Sequence, residues 1–162
     1  MRQAASPQRL THVDETGQAR MVDVSGKDIT ARTARATGRV LLSAEAVAAL
    51  RAGEVPKGDA LAVARIAGIQ ASKRTSDLIP LCHPIALHGA SVELAVHDDG
   101  VSIEAITRTA DRTGVEMEAL TSVSVAALAL VDMVKAIDPA AVITDVRVES
   151  KEGGKTGTWR RS

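Results

Sequence analysis

The stretch "SDLIPLCHPIALHG" (76–89) sets the chain's one cysteine beside one of its four histidines, bracketed by Pro80 and Pro84. Three chemistries suit Cys82 and His83: a metal centre, a nucleophile with its base, or a stiff corner presenting one side chain. Neighbours in extended chain point to opposite sides, so the two cannot readily chelate one ion, and no second Cys/His pair supplies zinc spacing. The same geometry turns the imidazole away from the thiol. A lone cysteine is commonly a small buried hydrophobe, so Cys82 reads mostly as packing. Pro84 fixes its own φ and drives His83 into extended conformation. Both a satisfied structural histidine and a presented ring donor fit that stiffness.

Other polar groups sit where a core does not want them. Asp132 and Lys135 interrupt "ALALVDMVKAI" three residues apart, close enough to share one small volume. They read either as an exposed i,i+3 salt bridge or as a carboxylate placed to move protons. Glu116 and Glu118 open the same apolar stretch; they suit the positive end of a helix, and equally a pair that divides acid and base roles. In "GGKTG" (153–157) glycine lets backbone N–H groups approach an anion while Lys155 adds charge. A Walker A loop would require glycine where Glu149 stands, so the choice is between a local anion site and a flexible surface tail.

A scaffold must hold these groups, and composition bounds it. A chain of 162 residues suits one domain that buries about two-thirds of its unfolded surface. Hydrophobic residues make up 45%, with no Phe or Tyr and only Trp159, so the core is aliphatic. Twenty basic residues against twenty acidic ones argue against broad attraction to nucleic acid or membrane, and any anion binding must be local. One cysteine excludes an internal disulfide and suits a reducing compartment. No uninterrupted apolar run reaches membrane length, and "MRQAASPQRL" has no apolar export core. The expectation is a cytoplasmic protein with a flexible tail over residues 1–10 and a single domain over 11–162.

Periodicity then assigns elements. "RMVDVS" (20–25) reads as a short strand or extended arm, and 31–42 as a strand carrying basic residues 32, 35 and 39. Ser43 caps a helix that Gly53 ends. A second helix follows Asp59, with Leu61, Ala64, Ile66, Ala67, Ile69 and Gln70 as its apolar stripe and Lys73 and Arg74 in its last turn. Alternating Val92, Leu94, Val96 and Val101, Ile103, Ala105 around Asp-Asp-Gly mark an antiparallel hairpin. The stretch 116–138 is a helix apolar nearly all round, to be covered on two sides, and 142–150 is a returning strand. This order suggests α+β architecture: a ferredoxin-like antiparallel sheet with helices packed on one face.

Read together, "LTHVDETGQARMVDVSGK", "KGDALAVARIAGIQASKRTSDLIPLCHP", "TGVEMEALTSVSVAAL", "DMVKA" and "GGKTG" resemble, in family order and over nearly the whole chain, the cyclic pyranopterin monophosphate synthases of the MoaC family. The resemblance implies a ferredoxin-like homohexamer built as a trimer of dimers, with sites at subunit boundaries. It implies conversion of 3′,8-cyclised 7,8-dihydro-GTP, made by a radical S-adenosylmethionine enzyme, into cyclic pyranopterin monophosphate and pyrophosphate. By motif, Leu81, Cys82, His83, Met117 and Glu118, with the adjoining Glu116, correspond to substrate-binding segments, and Asp132 to the catalytic aspartate. Lys135, Lys57, Lys73, Arg32 and Lys155 match positions that hold phosphates or assist proton transfer, and His83 could add a donor. No cofactor is required by these motifs; magnesium could accompany the substrate phosphates, though no dedicated carboxylate cage is apparent. A non-catalytic nucleotide-binding regulator is the alternative, and a carboxylate amid lysines argues against it.

Overall fold

The structure is a computed structural model that describes residues 12–162, and the expected tail over 1–10 lies outside the described residues. Strand β1 (Thr30–Leu41) shows why the sheet has one covered face: Ala34, Ala36 and Val40 are buried, while Arg35, Thr37 and Arg39 alternate to the other side. The hairpin forms as its pattern required, β2 (Gly89–His97) pairing with β3 (Gly100–Asp111) and His97 opposite Gly100. With β4 (Val142–Glu152) and the two-residue β5 (Trp159–Arg160), the antiparallel sheet runs β2-β3-β1-β4-β5.

Helices cover the inner face of this sheet. Ser43 caps α1 (Ala44–Ala52) by accepting from the Ala46 amide at 3.3 Å, and Asp59 caps α2 (Ala60–Ser72) through the Ala62 amide at 2.9 Å. After the single turn α3 (Thr75–Leu78) and the hairpin comes α4 (Glu116–Val134), which packs on β1, β3, β4 and α2. The progression β1, helices, β2, β3, α4, β4 with spatial order β2-β3-β1-β4 is the ferredoxin-like arrangement.

Three local expectations need correction. The buried face of α2 is Ala60, Ala64, Gly68 and Ala71, whereas Ile66 is 65% exposed. Small residues win because the helices nearly touch: a Cβ on Gly68 would stand 2.9 Å from the Ser122 carbonyl oxygen, and the Ser122 hydroxyl donates to the Gly68 carbonyl at 2.9 Å. Secondly, the helix expected over 116–138 ends at Val134; as expected it is covered on two sides, by the sheet and by α2, although it is long and apolar enough to cross a membrane by length and composition. That leaves Leu128 facing outward at 58% exposure. Thirdly, "GGKTG" is no loose tail. It turns β4 into β5, closed by the Gly157 amide on the Gly154 carbonyl at 3.2 Å.

Candidate active site

A cavity of about 450 Å³ lies at the N-terminal end of α4, and six of the predicted residues line it together: Leu81, Cys82, His83, Glu116, Met117 and Glu118. Two elements deliver them. The chain leaves α3 through a turn in which the Cys82 amide donates to the Ile79 carbonyl at 3.1 Å, then runs extended past Pro84. From the opposite wall the first turn of α4 contributes its carboxylates. The remaining wall includes Val22, Val24 and Lys27 of the arm preceding β1, which is extended but forms no strand over 20–25.

Glu118 is the unusual group. It is 3% exposed, and its Oε2 has no hydrogen-bond partner among the described residues. Burial weakens it as an acid and pushes its pKa up to about 7, with the neighbouring Glu116 charge acting in the same direction. The folded state therefore holds a proton that the unfolded chain gives up near 4.5, so stability should fall as pH rises from about 4.5 to about 7. Glu118→Gln should flatten that fall and be more stable at pH 8 by about 2 kcal/mol, less than the full shift because water still reaches the cavity. Chemical denaturation across this pH range checks it; an unchanged slope would mean Glu118 ionises normally.

The Cys82 thiol is pushed up by burial first and by the Glu118 charge second. Its thiolate is disfavoured, which supports packing over a nucleophile. Glu116 is engaged instead by Lys151 of β4 at 3.0 Å, a lysine that carries no motif and that only the sheet brings to α4.

The second cluster stands at the other end of α4. Asp132 accepts from Lys135 at 2.7 Å and from Lys57 at 2.8 Å. Hydrogen bonds from Lys135 and then Lys57 hold its carboxyl down at about 2. Spacing predicted the first partner. The second comes from the loop before α2, which the packing of α2 on α4 carries to the helix end. Fourteen positions separate Glu118 from Asp132, about 21 Å along the axis, so this chain does not bring its two clusters together.

The other predicted cations are distributed differently. Period-two alternation separates Arg32 from Arg35 and Arg39, which face the outer side of the sheet in ion pairs with Glu104 and Asp99. Arg32 donates through Nε to the Asp111 carbonyl at 3.0 Å, and the glycine turn wraps its guanidinium: a Cβ on Gly154 would stand 2.4 Å from Nη1. Lys155 follows on that turn, so Arg32 and Lys155 share one neighbourhood. Lys73 is exposed at the C-cap of α2 and is not among the residues lining the cavity. A larger concavity, about 780 Å³, lies on the outer sheet face among ion-paired side chains and is lined by none of the predicted residues.

The chain matches the model of the MoaC family over residues 21–154. It is 70% identical over 154 residues to a Streptomyces coelicolor protein named cyclic pyranopterin monophosphate synthase, covering 95% of this chain and 91% of that one. A Mycobacterium tuberculosis protein named cyclic pyranopterin monophosphate synthase 2 is 59% identical over 152 residues, 94% of this chain and 91% of that one. One of the same name as the first, from Desulfitobacterium hafniense, is 53% identical over 153 residues, 94% of each chain. The family match runs from the arm at the cavity to Gly154 beside Arg32 and so spans both clusters, and the relatives align almost end to end: the chain belongs to the MoaC family.

Proposed function

We propose that this chain converts 3′,8-cyclised 7,8-dihydro-GTP into cyclic pyranopterin monophosphate with release of pyrophosphate, in molybdenum cofactor biosynthesis. One observation carries the reading: Asp132 gathers Lys57 and Lys135 on a chain whose formal net charge is zero. Two ammonium groups held by a carboxylate suit a substrate with about four negative charges on its triphosphate. A polyanion binder gains nothing from that carboxylate, and the relatives bear an enzyme's name, so the non-catalytic regulator is not favoured.

In this mechanism the cavity at Glu118 receives the purine-derived ring. A substrate hydroxyl attacks the α-phosphorus, the bond from that phosphorus to the bridging oxygen breaks, and the β and γ phosphates leave as pyrophosphate. Lysines stabilise the charge on the leaving group. Opening the imidazole-derived ring and closing the pyran move protons between nitrogen, carbon and oxygen, general acid–base work for a pyrophosphate-releasing lyase. A carboxyl held at about 2 is a weak base in the free protein, so Asp132 acts there as the counter-charge that aims both ammonium groups. A magnesium ion, if one is used, would be carried by the substrate phosphates, since no group of three or more His, Cys, Asp or Glu among the described residues could hold it.

The separation of the clusters supports a composite site in a dimer. A two-fold axis near the middle of α4, where Leu128 is exposed, brings Glu118 of one chain toward Asp132 of its mate. Three such dimers make the proposed hexamer, working in the cytoplasm downstream of a radical S-adenosylmethionine enzyme. The direct test is incubation with the cyclised dihydro-GTP and an enzymatic assay for pyrophosphate. Stoichiometric pyrophosphate and pterin product are expected; a bound but unconverted substrate would overturn the synthase reading.

A further inference from the structure

One wall of the cavity is the extended arm ahead of β1. Val22 and Val24 line the cavity and are half-buried, while Met21, Asp23 and Ser25 between and around them are exposed, the alternation of an extended chain laid on a surface. Polar bonds pin this stretch at two points. The Val22 carbonyl meets His83 Nε2 at 2.6 Å, and the Lys27 carbonyl accepts from Arg112 Nε at 2.9 Å.

A carbonyl oxygen can only accept, so the short contact at Val22 requires the proton on Nε2. In the neutral ring that leaves Nδ1 unprotonated, an acceptor for a hydrogen bond or a proton. The two constraints on His83 are complementary: Pro84 holds its backbone extended, and the arm holds its ring. Because the arm acts through a main-chain oxygen, no side-chain motif announces the role.

We propose that the arm at Val22 is a positioning element of the active site, clamping His83 as the Nε2-protonated tautomer so that Nδ1 is presented as the working acceptor. What Nδ1 meets rests on the synthase reading; the clamp itself is a property of the free protein. Its loss should lower kcat without a matching rise in KM, because fewer molecules hold the ring in register at any moment.

The test uses full-length protein carrying Val22→Asp and Val24→Asp, which remove the arm's apolar anchors without touching the core, with Val22→Ile and Val24→Ile as the conservative pair. Nitrogen-15 imidazole spectra at about pH 8, above the ordinary titration range of histidine, are assigned through His83→Gln. The wild type and the isoleucine pair should show a solvent-protected Nε2 proton on His83; the aspartate pair should lose it, with kcat down about tenfold and an unchanged melting profile. Should the aspartate pair misfold, Arg112→Gln frees the other end of the arm and should weaken the same protected proton. A wild-type His83 protonated on Nδ1, or a protected proton and kcat that persist in both variants, overturns the inference. If the wild type makes no pyrophosphate from the cyclised dihydro-GTP, the synthase reading fails alone, and the spectra still decide the clamp.

Discussion

Asp132→Asn should keep the fold and substrate binding while lowering kcat by about a thousandfold. The amide preserves shape, and the side chain is exposed at the end of α4, so no core contact depends on it. What disappears is the negative charge on which the ammonium groups of Lys57 and Lys135 converge at 2.8 and 2.7 Å. Without it the two lysines repel, lose their common aim, and meet the departing pyrophosphate in many orientations instead of one. Single-turnover measurement on the cyclised dihydro-GTP checks this, with binding followed separately by calorimetry. A kcat within a few-fold of wild type would remove Asp132 from the chemistry.

Glu118→Gln and Asp132→Asn chains, each inactive alone, should recover about a quarter of wild-type activity when refolded together in equal amounts. The arithmetic follows from the two-fold arrangement. About half the dimers are mixed, and in each mixed dimer one site carries both lesions while the other carries neither. The effect is large because it rises from a null background, and it does not depend on what either residue contributes chemically. The α4 geometry makes the demand: two clusters about 21 Å apart on one helix cannot both reach one substrate's reacting atoms from a single chain. Differently tagged chains, purified through both tags, establish that mixed dimers formed. If such dimers stay inactive, the site does not combine Glu118 of one chain with Asp132 of the other.

By itself the sequence determined whatever depends on neighbours within a few residues. The caps at Ser43 and Asp59, the hairpin around Asp98 and Asp99, the alternation along β1 and the Asp132–Lys135 pair are all local. Each follows from a hydrogen bond or period that closes within one turn or one strand pair. The long motifs likewise identified the family, since extended runs of residue types carry that information without coordinates. Period two along β1 likewise sets Arg32 on the opposite face from Arg35 and Arg39.

Which distant groups meet is set by how the elements pack. Lys57 reaches Asp132 across 75 positions, and the Val22 carbonyl reaches His83 across 61. Neither contact has a spacing rule, because the separation reflects how α2 lies on α4 and how the arm lies on the cavity. The buried face of α2 shows the same limit: hydropathy favoured Ile66, but the closeness of two helices admits only Gly68 and its alanine neighbours. Glu118 was legible as a carboxylate but not as one held near 7, since that shift comes from burial among the arm, the proline corner and α4 together. Short-range periodicity encodes direction, whereas burial and long-range pairing depend on the shape of the surfaces that fold against each other.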